Sequence, residues 1–174
     1  METSRRSFLK VGGLAALALA VGGGIYRVTH PPKPQRFVLD GDARTALEAI
    51  VPAMLAGSLP AAGPARTAAV AATIGHVHAA INGLPLAAQK EVQDLFGLLA
   101  LAPARRFLAG VPEAWGQASS AQVSAFLQAW RMHRFTMLQS AYFALHDLIY
   151  GAWYADPSTW AAIGYPGPIK ELGV

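Results

Sequence analysis

The sequence predicts an all-α fold, a small helical bundle with an extended aromatic and proline-rich C-terminal strap, preceded by an N-terminal signal or anchor helix. Three observations predict it. Apolar residues recur three and four apart, the period of one helix face, through successive stretches of the body. The breaks between those stretches are rich in Gly and Pro, and no stretch alternates polar and apolar residues as a half-buried strand does. There is no cysteine, so disulfides, thiolate metal sites, iron–sulfur ligation and c-type haem attachment are excluded and the fold rests on packing.

The chain opens with SRRSFLK followed by an apolar run from Val11 to Ile25 built only of Val, Gly, Leu, Ala and Ile. A basic head before a moderately apolar body is how an export signal is built. Ser4, Arg5, Arg6, Phe8, Leu9 and Lys10 match the twin-arginine translocation pattern Ser/Thr-Arg-Arg-x-Phe-Leu-Lys at every specified position. Residues 1–30 are therefore read as a twin-arginine signal or membrane anchor. Ala18-Leu19-Ala20 has a small-x-small form but lies inside the run, and Val11 to Tyr26 falls just short of the roughly 17 residues a spanning helix needs. The composition fits both cleavage and retention in the inner membrane.

That segment also holds most of the charge. Arg5, Arg6, Lys10 and Arg27 stand against Glu2, which is three of the chain's net four positive charges. The remaining Lys and Arg are scattered, which disfavours nucleic acid as a partner. Residues 31–40 begin with three prolines in HPPKPQ and read as an extended linker. Residues 41–174 form a body of about one domain's length.

The first body helix is expected from about Asp42 to Ala56, with Leu47, Ile50, Val51 and Leu55 on one face and Pro52 kinking or ending it. A second runs from about Ala65 to Ile81 and stops at Asn82-Gly83. A third, from about Pro85 to Leu101, opens with proline in its first turn and is ended by Pro103. Ser119 and Gln122 form a capping box, and from there Val123, Phe126, Leu127, Trp130, Leu138, Ala141, Leu145, Leu148 and Ile149 recur through one long final helix. This segment is expected to be the hydrophobic centre. The stretch from Tyr150 to Ile169 is the strap, whose aromatic rings either pack the tail onto the bundle or anchor a partner.

Three blocks, LEAIVPAMLAGSLPAAGP, SAQVSAFLQAWRMHRFTMLQSAYFALHDLIYGAWYADPSTW and AAIGYPGPI, resemble the small, or gamma, subunit of membrane-linked flavin dehydrogenases, the gluconate 2-dehydrogenase subunit 3 group. The most specific part is Tyr154, Asp156-Pro157, Trp160 and Gly164 to Pro168. The resemblance implies a non-catalytic subunit that binds no cofactor itself. It implies as partner a large FAD-dependent dehydrogenase of the glucose-methanol-choline class, which the small subunit escorts, folded, through the twin-arginine translocase to the periplasm. The resemblance leaves open whether a cytochrome subunit completes the complex.

The residues themselves give no independent catalytic set. His76 and His78 lie roughly 200° apart on a helix and cannot readily share a metal. No Glu-x-x-His pairs, phosphate loop or nucleophile elbow occurs. His146 and Asp147 point about 100° apart and read as a bundle-edge pair. Partner-binding candidates are Trp130, Arg131, Arg134 and Tyr142 on the final helix, with Arg131 and Arg134 on one face, and Trp153, Tyr154, Trp160, Tyr165, Pro166 and Pro168 in the strap. The alternative reading is a membrane-anchored periplasmic bundle that binds a small ligand on its own.

Overall fold

The computed structural model describes residues 36–167. Ser4, Arg5, Arg6, Phe8, Leu9 and Lys10 of the signal or anchor, the linker as far as residue 35, and Pro168 lie outside the described residues. Those described form six α-helices: α1 Gly41–Met54, α2 Pro64–Asn82, α3 Leu86–Ala100, α4 Ala102–Phe107, α5 Ser120–Arg131 and α6 Thr136–Tyr154. Two 3-10 turns, Trp115–Gln117 and Pro157–Ile163, complete them, and no strand occurs among the described residues.

Helix α1 begins where Asp40 accepts the Ala43 N–H at 2.7 Å, and Asp42 in the first turn faces the positive end of the helix dipole. Ala43, Ala46, Leu47, Ile50, Val51 and Met54 are all buried. The two alanines let neighbouring backbones come close, and the larger residues fill the space between them. As a result α1 packs against α2, α3, α5, α6 and the first 3-10 turn. The hydrophobic centre is therefore α1, which corrects the expectation that the segment from Val123 to Ile149 would fill that place. Pro52 lies in the last turn, where it removes the donor to the Glu48 carbonyl. Glu48 is on the exposed side, within reach of water, and the helix ends two residues later.

The approach to α1 is held down rather than free. Phe37 is buried, with its ring centroid 6.0 Å from that of Phe96, so the part of the predicted linker that is described belongs to the body. Its N–H donates to Gln89 Oε1 at 2.9 Å, and the next N–H, of Val38, donates to Gln93 Oε1 at 2.9 Å. Gln89 is itself buried, and its Nε2 donates to the carbonyls of Leu84 at 2.9 Å and Asn82 at 3.2 Å. One amide thus ties the lead-in segment to the turn between α2 and α3.

Helices α2 and α3 follow the predicted bounds closely, with Pro64 opening α2 and Pro85 standing just before α3 as its N-cap. Helix α3 ends at Ala100, before Pro103, which sits instead in the first turn of the short α4. The Ser119–Gln122 capping box forms as expected, with both reciprocal hydrogen bonds present. Phe126 on α5 lies between two indoles, 5.6 Å from Trp115 and edge-on at 4.8 Å to Trp130. Those indoles donate to the Leu99 carbonyl at 2.9 Å and the Leu108 carbonyl at 2.8 Å, which pins the first 3-10 turn to the end of α3 and α5 to the end of α4.

Two expectations about the C-terminal half are corrected. The single long helix is two, broken at Met132–Phe135, where the Phe135 N–H donates to His133 Nδ1 at 3.1 Å. Buried residues stop at Trp130 and resume at Leu138, and the intervening positions one turn on are His133 and Arg134, so no apolar face carries a continuous helix across the gap. Arg131 and Arg134 are accordingly not on one helix face, because Arg134 lies in the link. The strap is also less extended than expected. Tyr150–Tyr154 are the last turn of α6, Pro157–Ile163 is a 3-10 turn, and among the described residues Tyr165, Pro166 and Gly167, after Gly164 (φ 70°), are without regular structure.

Replacing Gln89 by Leu leaves the buried Phe37 N–H and two carbonyls without their partner. It is expected to lower unfolding free energy by about 2–4 kcal/mol. Urea unfolding monitored by circular dichroism measures this, and a loss under about 0.5 kcal/mol would show that the amide does not clamp the lead-in segment.

Candidate functional site

The candidate residues separate into an elbow, a groove and a tail. The elbow is the α5–α6 link. Met132, Phe135 and Met137 are exposed there, with 77%, 55% and 69% of their surface accessible. Arg134 lies over the Phe135 ring at 4.8 Å, and the His133 ring is 5.1 Å from the same ring. Arg131 and Arg134 are both exposed and form no ion pair among the described residues. The bond from Trp130 to the Leu108 carbonyl brings the end of α4, with exposed Phe107 and Leu108, beside the end of α5.

Trp130, Tyr142 and Trp153, also read as partner-binding candidates, are buried in the core rather than displayed. The period that singled them out belongs to the face that packs inward. The outward residues Met132, Phe135, Met137, Phe143 and Phe107 were missed, because an apolar residue off the periodic stripe carries no local mark of exposure.

The groove lies between the end of α1, α5 and the middle of α6. It measures about 450 Å³ and is lined by Ala53, Met54, Ala56, Ser124, Leu127, Gln128, Arg131, Tyr142, Phe143, His146 and Tyr150. Along α6, Tyr142, His146, Tyr150 and Tyr154 stand four residues apart, with successive ring centroids 5.9, 4.6 and 5.8 Å apart. The i, i+4 spacing stacks them on one side of the helix. His146 Nδ1 and Asp147 Oδ1 are 2.9 Å apart, so this adjacent pair does join at the helix surface despite the angle between them. The Tyr150 hydroxyl donates to the Met54 carbonyl at 2.8 Å, fastening α6 to the last turn of α1. Burial, followed by the nearby Tyr154 and Tyr142, pushes the Tyr150 phenol above its ordinary value.

The tail folds on itself. The Trp160 indole donates to the Tyr154 carbonyl at 2.7 Å and meets the Tyr165 ring edge-on at 5.2 Å. Gly167, at φ 93°, passes so close over Trp160 that a Cβ would stand 3.3 Å from the indole. Tyr154, Tyr165 and Pro166 are exposed and Trp160 is half-buried. Asp156 accepts from the Ser158 N–H at 2.9 Å, a bond that lowers its carboxyl below the ordinary range. His76 faces a depression of about 350 Å³ shared with Asp156, whereas His78 packs 5.9 Å from Phe37 on another side, as their spacing predicts. Among the described residues no three His, Asp or Glu side chains gather as metal ligands, and no helix is long and apolar enough to cross a membrane.

No protein-family model, curated protein or solved structure matches the chain.

The raised Tyr150 phenol sets the sign of an alkaline effect. Below the ordinary value of 10.0 both folded and unfolded chains hold the proton, so its contribution is fully present. As pH rises past 10.0 the unfolded chain releases the proton first and stability falls. Tyr150→Phe is expected to flatten the decline in melting temperature above that pH. An unchanged alkaline slope would contradict it.

Proposed function

We propose that the protein is a non-catalytic small subunit that binds a large FAD-dependent dehydrogenase of the glucose-methanol-choline class. It escorts that partner, folded, through the twin-arginine route to the periplasm. The flavin belongs to the partner, and the signal Arg5-Arg6 engages the translocase, with both guanidiniums offering forked hydrogen bonds to carboxylates. The sequence resemblance in Tyr154, Asp156-Pro157, Trp160 and Gly164 to Pro168 supports the family reading.

The observation that carries an interaction role is the elbow. Met, Phe and Arg are the residue types enriched where proteins meet, and here they stand together with the apolar surface in water. Removing such surface from water contributes about 25 cal/mol per Å² of apolar area. An escort that contacts folded shape through a broad apolar face would couple export to completion of the flavoprotein.

Affinity purification of the C-terminally tagged chain from its native cell tests the reading. The expected product is a yellow complex with a large flavoprotein, and a colourless chain recovered alone and stably folded would contradict it. In the same assay Met132→Glu combined with Phe135→Glu should cut recovery of the flavoprotein about tenfold or more. Because both residues are exposed, the variant's own unfolding free energy should change by less than about 1 kcal/mol.

A further inference from the structure

The groove between α1, α5 and α6 has a lining of one sign. Arg131 supplies a guanidinium, His146 an imidazole, Gln128 an amide and Ser124 a hydroxyl, and no carboxylate lines it, Asp147 being bonded to His146 beside it. Leu127 on α5 and Phe143 on α6 add apolar surface to the same lining. We propose that this groove binds a carboxylate carried on a flat apolar body, with Arg131 holding the carboxylate and the aromatic wall of α6 holding the body.

Two features carry this. Arg131 forms no ion pair among the described residues, and its planar fork matches a carboxylate with two parallel hydrogen bonds. A cationic ligand would meet this guanidinium with no acid to receive it, and a neutral one would cover the charge without pairing it. His146 donates its Nδ1–H to Asp147 at 2.9 Å, so it contributes ring surface to the groove and the carboxylate rests on Arg131. The volume of about 450 Å³ falls within the range of small-ligand sites, and Phe143, half exposed on the rim, offers a ring face at the mouth.

The site does not rest on the existence of a large subunit. A free organic acid and the C-terminal carboxylate of a peptide present the same chemistry, and the test separates them. The full chain at pH 7 is titrated with phenylacetate, with phenylacetamide, with the tripeptide Gly-Gly-Phe and with its C-terminal amide, while backbone resonances of Gln128, Phe143 and His146 are followed by NMR. Saturable shifts with a carboxylate probe, about tenfold or more weaker for the matching amide, and a similar loss in Arg131→Gln, are expected. Arg66→Gln, outside the groove, should bind as the unaltered chain does. Phe143→Ala should weaken the same probe with the charge intact. Saturation by phenylacetate assigns a free acid, and saturation by the peptide acid alone assigns a polypeptide source. Equal binding of acid and amide, no saturable shift with either acid, or unchanged binding in Arg131→Gln would overturn the proposal.

Discussion

Everything else in the body depends on the burial of α1. Its six inward residues place one helix in contact with four others, so α2, α3, α5 and α6 are positioned by a shared core rather than by their connections. Full burial of Leu47, Ile50 and Val51 contributes about 1.5–3 kcal/mol each relative to exposure. A chain without cysteines has no covalent means of fixing its helices, and this packing takes that place. Two polar devices sharpen it. Gln89 ties the lead-in segment to the α2–α3 turn, and Tyr150 ties α6 to the end of α1.

The same arrangement explains why the surface has the features it does. With α1 filling the middle, α5 and α6 both reach it only if the chain turns between them, and the turn sends Met132, Phe135 and Met137 outward. The groove is the space left where the end of α1 meets those two helices, and its lining mixes polar and aromatic residues with Ala53, Met54, Ala56 and Leu127. The elbow and the groove are thus products of one packing decision. In the proposed role the first supplies a partner surface and the second a place for a carboxylate.

Much of the fold was legible because it was local. The Ser119–Gln122 box, the Asn82-Gly83 stop and the apolar stripes of α1 and α2 each depend on residues within a turn or two of one another. The break at Met132–Phe135 was hidden because neither Gly nor Pro marks it, although the seven residues without a buried side chain between Trp130 and Leu138 are its trace. Nothing local marks Gln89 as buried, since the Phe37 N–H that it accepts from lies 52 residues away in sequence. Among the candidate site residues, Arg131, Arg134, Tyr154, Tyr165 and Pro166 are displayed, while Trp130, Tyr142 and Trp153 serve the core. Aromatic residues suit both tasks, and periodicity alone favours neither.

Escort by the twin-arginine route is the central claim, and it makes the location of another protein depend on two residues of this one. Lysine keeps the charge of arginine but not its fork. The most direct measurement is therefore fractionation of cells carrying Arg5→Lys with Arg6→Lys, scoring where the large flavoprotein is found. The account predicts that both chains stay in the cytoplasm, with the flavoprotein folded and holding its flavin. A flavoprotein that reaches the periplasm undiminished while this chain is trapped would contradict it.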